Sequence, residues 1–394
     1  MISKAKAIFY LIEFINSYTA VYYSNFLFFY LKRDFGFGAV ENLLTAALSG
    51  GLYIFAAWQC GKYAERRGCI RALYWGLAVM VLSLPAGLAF QKSFLQVLVF
   101  CVWTIGICFT WPALEALISE KAGRRLADCV GLYNVTWAAG GAVGYFTAGL
   151  LLEGLGMSSL YWLPVLLIGL QMILLGCGSA LRLKEEAKEN EEWNPNTPDS
   201  KGEKSRLFLR LAWFANPFSY VAINTVIPLI PSIAEKLSLT TGQAGIVCSL
   251  WMFARLSAFA VLWRWTGWHY RFRWLAGAFL VMTVAFFGFL TAQTIWILVL
   301  AELCFGSAIG LIYYSSLYYS MNVSREQSTN AGIHEAVIGV GLFGGPVIGA
   351  VALSLLPEVA SMGAWSVGGL LGTGFIGLFF VKRKPVKEKT FLKG

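Results

Sequence analysis

The sequence has 394 residues, of which 58% are hydrophobic and only 13% are charged. This composition is too apolar for a water-soluble globular protein of this length and indicates a polytopic membrane protein. The formal net charge of +10 does not indicate a nucleic-acid partner, because the cations lie in short segments between apolar runs and are not interleaved with aromatic residues as a nucleic-acid-binding surface would be.

Twelve apolar runs follow one another along the chain, and each is long enough to cross a bilayer as a helix of roughly 20 residues. They are 7–31, 43–63, 72–90, 94–118, 130–152, 160–181, 207–230, 244–265, 274–292, 295–319, 331–356 and 362–380. An even number of helices places both termini on one side. Most Lys and Arg residues fall on that side, so the positive-inside rule predicts cytoplasmic termini and insertion in the cell membrane.

A long polar segment, residues 182–206, interrupts the apolar runs. It is rich in Glu, Lys, Asn and Pro, and such a composition cannot bury a core. It predicts a flexible cytoplasmic linker between two six-helix bundles, residues 1–181 and 207–381. Residues 382–394 then form a basic cytoplasmic tail.

An internal repeat supports this division. Phe14 and Asn16 recur as Phe214 and Asn216, and three glycines of the fifth apolar run, Gly131, Gly140 and Gly144, recur in the eleventh as Gly332, Gly341 and Gly345. A near-constant offset of about 200 residues indicates a duplicated six-helix unit, and transporters commonly bind their substrate at the interface of such repeats. The predicted fold is therefore an all-α membrane protein, with two pseudo-symmetric bundles around a central cavity.

A short basic segment, Gly61 to Leu73, separates the second and third apolar runs. Its glycines permit a tight reversal of the chain. The segment resembles the loop between helices 2 and 3 of the major facilitator superfamily, with a glutamate in place of the family's aspartate. Six residues fit the family pattern: Gly61, Glu65, Arg66, Gly68, Arg71 and Leu73. The resemblance implies a 6+6 secondary transporter that works by alternating access. It also implies that Glu65 locks the inner gate against the start of helix 11.

A second family pattern, Gly-x-x-x-Gly-Pro-x-x-Gly, is present in the eleventh run as Gly341, Gly345, Pro346 and Gly349. Its counterpart in the fifth run has Gly140, Gly144 and Gly149, with Tyr145 in the place of proline. Small residues four apart let helix backbones approach closely, and proline weakens the local hydrogen-bond ladder. Both a packing groove and a gating role agree with this pattern.

Five ionisable residues lie within the apolar runs: Glu13, Glu115, Arg255, Glu302 and Glu335. Each such residue costs about 2.5 to 3.5 kcal/mol at the centre of a spanning helix, which indicates either a partner or a function. Because four acids face one arginine, some carboxylates remain to exchange protons, and Glu13 and Glu335 are the predicted proton carriers. Glu115 and Glu302 lie nearer helix ends, where they could simply reach the interface. Arg255 either pairs with a side chain of helix 5 or 11, or binds an anionic group of the substrate.

Polar and aromatic residues at helical spacing predict the wall of a wet cavity. With Arg255, the predicted substrate-binding residues are Asn16 and Tyr23 in the first run, Trp111 in the fourth, Asn216, Tyr220 and Asn224 in the seventh, and Tyr314 and Tyr318 in the tenth. Each tyrosine could instead serve packing or the aromatic belt at the membrane interface.

The predicted function is secondary active transport of a small organic solute, coupled to protons, with efflux of a drug-like compound or metabolite favoured by the acidic, aromatic cavity. The alternatives are a facilitative uniporter, a proton symporter for a small anionic metabolite, and a non-transporting membrane sensor on the same scaffold. No Walker loop, hydrolase or kinase signature indicates an enzyme, and His269 and His334 show no metal-ligand spacing. The expected partners are the lipid bilayer and the substrate, with no cofactor, no nucleic acid and a monomeric state.

Overall fold

The computed structural model describes residues 3–119, 126–188, 203–323, 327–359 and 361–384. Within these ranges the regular structure is entirely helical, as predicted. The first six helices are α1 (Lys4–Ala20, continuing through Val21–Asn25 and Leu27–Phe35), α2 (Ala39–Arg67), α3 (Cys69–Ala89), α4 (Ser93–Ser119), α5 (Leu126–Leu155) and α6 (Ser159–Lys188).

The second set of six helices begins after residues 189–202, which the structure does not describe. It consists of α7 (Glu203–Val226, Ile227–Leu229 and Ile230–Lys236), α8 (Thr241–Cys248 and Leu250–Arg264), α9 (Phe272–Thr291), α10 (Ile295–Val323), α11 (Gln327–Leu355) and α12 (Met362–Arg383). Across the described ranges, eleven helical spans are long and apolar enough to cross a membrane. The remaining helix, α1, is divided by a π-helical turn, Val21–Asn25. The twelve-helix prediction is confirmed.

Within each half, short connections make consecutive helices antiparallel. The end of α8 bonds to the start of α5 through Trp263 and Asp128, so α1 begins and α12 ends at the same face of the bundle. We call this the termini face and the opposite one the far face. Helices α6 and α7 extend into the predicted linker as far as Lys188 and Glu203, which narrows the interval left for it to 189–202. That interval and most of the predicted tail lie outside the described residues, so the domain division stays a prediction.

The predicted basic turn is shorter than the sequence pattern suggested. Helix α2 continues to Arg67 and α3 begins at Cys69, so that Gly68 alone connects them. Its φ of +92° suits a residue without a Cβ atom. Lys, Arg, Glu and Ala are strong helix formers. The helices therefore continue past the apolar runs that predicted them.

The glycines of the repeat make equivalent contacts in the two halves. A methyl group at Gly140 of α5 would lie 2.3 Å from the Phe14 carbonyl oxygen of α1, and one at Gly341 of α11 would lie 2.2 Å from the Pro217 carbonyl oxygen of α7. Only glycine permits so close an approach of two helix backbones. Gly345 repeats the contact at Val221 of α7, whereas Gly349 lies at ordinary distance from a leucine side chain of α2.

Three irregular turns interrupt helices beside the centre of the molecule. They are the π-helical turn of α1, a 3₁₀ turn at Ile227–Leu229 of α7, and a break at Ser249 of α8. π-helical turns inside α-helices are frequent at functional sites. All three turns supply or adjoin residues of the cavity described next.

Candidate functional site

A cavity of about 170 Å³ lies between the two halves. Its walls come from α1, α2, α4 and α5 of the first half and from α7, α8, α10 and α11 of the second. The lining is mainly aromatic and aliphatic, and Arg255 and Glu335 are its two charged side chains. Such a site combines apolar walls with a few polar groups that orient a ligand.

Aromatic rings surround Arg255 of α8. Its guanidinium carbon lies 4.3 Å from the ring centre of Trp137 and 4.7 Å from that of Tyr313. Phe259 and Tyr220 complete the cage at 5.4 Å and 6.0 Å. Cation–π attraction stabilises a guanidinium in such surroundings, and the side chain is only 2% exposed.

The cage leaves hydrogen-bond donors of Arg255 unused. Its Nε and Nη2 atoms are buried without a hydrogen-bond partner. Among the side chains that the structure describes, the ion pairs formed are Lys32–Glu235 and Arg33–Asp34, and neither involves Arg255. The structural-pair interpretation of Arg255 is therefore not supported, and the guanidinium is free to bind an anionic group through its planar donors.

Carboxylates and one histidine gather on the termini side of the cavity. The Tyr53 hydroxyl of α2 donates a hydrogen bond to Glu335 of α11. A carboxylate oxygen of Glu115, a ring nitrogen of His334 and a carboxylate oxygen of Glu335 all lie within 4.8 Å of one another. His334 Nδ1 lies 3.2 Å from Ser316 Oγ. These three side chains come from two helices that are far apart in the sequence. Residue spacing along the chain therefore could not reveal that they lie together.

The other buried acids of the described chain, Glu13 and Glu302, do not line the cavity. Glu13 accepts a 2.8 Å hydrogen bond from Ser17, which lines the cavity, but Glu13 itself lies behind the wall. Glu302 accepts a 3.3 Å bond from the Trp251 backbone N–H, just after the break in α8. Glu302 and Glu115 are 0% and 3% exposed. The alternative that they reach the membrane interface is therefore wrong.

Four of the predicted binding residues line the cavity: Trp111, Tyr220, Asn224 and Arg255. Asn16 and Asn216 lie outside the lining and bond within the halves. Asn16 Nδ2 donates to Thr110 Oγ1 at 3.2 Å, and Asn216 Oδ1 accepts from Ser219 Oγ at 3.3 Å.

Three predicted tyrosines also lie outside the lining. The ring centre of Tyr23 lies 5.1 Å from that of Trp103. Tyr23 does not line the cavity because the π-helical turn changes the rotation per residue that the prediction assumed. Tyr314 and Tyr318 each contact Trp268 at 5.6 Å. They point away from the cavity because roughly 100° and 140° of helix separate them from Tyr313, which does line it.

Sequence reasoning missed several wall residues, among them Tyr53, Trp137 and Trp251. The repeat contains a signal for two of them. With an offset of about 200 residues, Tyr53 corresponds to Arg255 and Trp137 to Ile338, and all four line the cavity. The wall of one half thus predicts positions in the other.

The halves touch at both faces of the bundle. At the far face, Lys32 pairs with Glu235 at 2.7 Å and Glu153 accepts a 2.8 Å bond from the Gly242 N–H. At the termini face, Trp263 Nε1 donates to Asp128 at 3.1 Å. Glu65, Arg66 and Arg71 are exposed, and the predicted contact of Glu65 with the start of α11 falls outside the described side chains, so the gating roles remain predictions.

Comparisons with known proteins agree with this architecture. Residues 8–217 match the family model described as Major Facilitator Superfamily, while no curated protein matches the sequence significantly. Among solved structures, the human organic anion transporter MFSD10 (TETRAN) is similar, with a TM-score of 0.69 and 12% identity over 96% of this chain and 99% of that chain. At this identity the likeness shows the fold alone. Because the family model covers more than half of the chain, this multi-pass membrane protein belongs to the major facilitator superfamily of secondary transporters.

Proposed function

We propose that this protein transports a small organic anion together with protons, by alternating access of its two halves. The observation that carries the proposal is the buried guanidinium of Arg255, which borders the cavity with two unpartnered nitrogens. A carboxylate or sulfonate would satisfy these donors through charge-assisted hydrogen bonds.

The walls of the cavity indicate the rest of the substrate. Trp103, Trp111 and Trp251 line it beside aliphatic side chains, and aromatic walls favour a planar, apolar body. The volume of about 170 Å³ suits a compact molecule with one anionic group, matched by one arginine. The similar solved structure named above is that of an organic anion transporter, so a protein with this fold can carry a substrate of this class.

The proton carriers of the proposal are Glu13 and Glu335. Glu335 borders the cavity, and Glu13 lies one layer behind it through Ser17. Joint movement of an anion and a proton carries no net charge, which lowers the cost of passing the apolar centre of the bilayer.

A second candidate is efflux of a neutral or cationic drug-like compound. The observation in its favour is that the Glu335 carboxylate faces the same tryptophan-rich cavity. In this mechanism the cation would replace the proton on Glu335, and Arg255 would serve only to hold α8 against the aromatic rings of α5 and α10.

The proposal includes cytoplasmic termini, the cell membrane, a monomer in the bilayer and no cofactor besides the proton gradient. Residues 182–206 link the two halves. The segment Gly61–Arg71 locks the gate at the termini face, chiefly through Glu65. The glycines of α11 and Pro346 form the groove along which α11 moves on α7. Close backbone contact at Gly341 and Gly345 supports this last assignment.

Thermal shift of the purified protein tests the substrate class. Benzoate and benzenesulfonate are expected to stabilise the wild type but not Arg255→Lys, because lysine lacks the planar donor fork. The control is Arg264→Lys, which changes an exposed arginine on the same helix and should be stabilised like the wild type. Stabilisation by tetraphenylphosphonium that is lost in Glu335→Gln and kept in Arg255→Lys would establish the second candidate instead.

A further inference from the structure

We propose that Glu115 and Glu335 share one proton across the interface between the two halves, and that this proton latches α4 to α11 on the termini side of the cavity. The inference rests on the proposed function in one respect, because it assigns a place to the coupled proton. It adds Glu115, which sequence reasoning left without a role.

The geometry brings the two carboxyl groups face to face. Glu115 belongs to the last turns of α4 and Glu335 to the early turns of α11, and an oxygen of each lies within 4.8 Å of the other. The side chains are 3% and 4% exposed. Tyr53 donates to Oε2 of Glu335, and a carboxylate has lone pairs to accept further hydrogen bonds.

If both carboxyl groups were ionised, the oxygens of Glu115 would lack hydrogen-bond donors. Neither has a hydrogen-bond partner among the described residues, and a buried carboxylate without donors is strongly disfavoured. A protonated Glu115 becomes a donor itself, and the acceptor it faces is Glu335.

Among the side chains that the structure describes, no cation pairs with either carboxyl group at this place. The groups that face the pair are Glu13 of α1, Tyr53 of α2, Tyr133 of α5, Tyr220 of α7, Tyr313 of α10 and His334 of α11. Arg255 of α8 contacts the rings of Tyr220 and Tyr313, and Lys6 of α1 donates to the Ile118 carbonyl at 3.0 Å. Within the described ranges, neither Glu115 nor Glu335 forms an ion pair. Two carboxyl groups in such a site hold one proton between them.

The shared proton acts as a latch because its two holders belong to different halves. When the proton leaves to water at the termini face, two carboxylates remain opposite each other and repel across the interface. The repulsion favours separation of α4 from α11 and opening of the cavity on that side. Rebinding of a proton restores the bond and closes it.

Hydrogen–deuterium exchange of the full chain tests the latch without any substrate. In Glu115→Gln, the amide donates to Glu335 with no proton required, so the latch stays closed when the wild type opens. At mildly alkaline pH, peptides from the end of α4 and the start of α11 should exchange about tenfold more slowly in this variant than in wild type. At mildly acidic pH the two proteins should exchange alike.

Two controls keep the result interpretable. Glu115→Leu provides no donor and should exchange rapidly at both pH values, while Glu302→Gln changes a buried acid outside the pair and should behave as wild type. Equal exchange of wild type and Glu115→Gln at alkaline pH would overturn the proposal. A stoichiometric divalent metal in the purified wild type that is lost in His334→Ala would also overturn it, because a metal ion would then hold the pair together.

Transport separates failure of this inference from failure of the proposed function. If wild-type proteoliposomes show no proton-driven movement of an organic anion, the proposed function fails whatever Glu115 does. If the wild type is coupled, Glu115→Gln should lose gradient-driven accumulation and should also slow counterflow exchange, because both require the cavity to open on the termini side. Coupled accumulation at the wild-type level in Glu115→Gln would refute the latch alone.

Discussion

The two halves share their backbone contacts but not their charges. Gly140 of α5 packs closely against α1, and Gly341 of α11 packs in the same way against α7. The two copies have therefore kept their packing. At corresponding positions, Glu335 of α11 has Asn134 of α5 as its counterpart, and Arg255 of α8 has Tyr53 of α2. The comparison teaches that packing follows the repeat, whereas the chemistry of the cavity comes from groups present in one copy only.

The largest effect is expected where the copies differ in charge. Glu335→Gln should abolish gradient-driven accumulation in proteoliposomes and leave counterflow exchange in place, because the amide cannot carry a proton. Asn134→Gln, the matched change at the corresponding position, should keep accumulation. Loss of accumulation in both variants would show that the two positions contribute alike, contrary to this account.

An intermediate effect is expected where the copies agree. Gly140→Ala and Gly341→Ala should each destabilise the protein by about 1 to 3 kcal/mol, because the added methyl group meets a carbonyl oxygen of the facing helix. Thermal unfolding in detergent measures this loss. Gly344→Ala is the control on α11, since a methyl group there would meet nothing within 4 Å. An equal loss in the control would remove the contact as the cause.

The smallest effect is expected at Asn134. Both polar atoms of its side chain are buried without a partner, and replacing an unsatisfied polar group by an apolar one of similar size is close to neutral. Asn134→Leu should therefore change the unfolding temperature little and leave transport intact. A large loss of stability would indicate that the amide has a bonding role in the folded protein.

The sequence predicted the fold well because apolar runs of spanning length have few alternatives in a bilayer. It predicted the helix ends less well. Glu65, Arg66 and Arg67 extend α2 beyond its apolar run, since charged residues remain helical in water and hydropathy does not register them.

The candidate site was predicted only in part, for geometric reasons. A helical projection located Tyr220, Asn224 and Trp111 correctly on the wall, because their helices are regular there. It misplaced Tyr23 because a π-helical turn has no clear signature in sequence. It also left Glu115 unassigned, since its neighbour Glu335 belongs to a helix far along the chain.

The most direct measurement is proteoliposome uptake of radiolabelled benzenesulfonate, an anion that stays ionised and does not cross the bilayer by itself. Under an inward proton gradient we expect saturable accumulation by the wild type, collapse of that accumulation with a protonophore, and at least a tenfold loss in Arg255→Lys, equal to about 1.4 kcal/mol of binding free energy. Wild-type accumulation by Arg255→Lys, or expulsion of tetraphenylphosphonium with no movement of the sulfonate, would contradict the account.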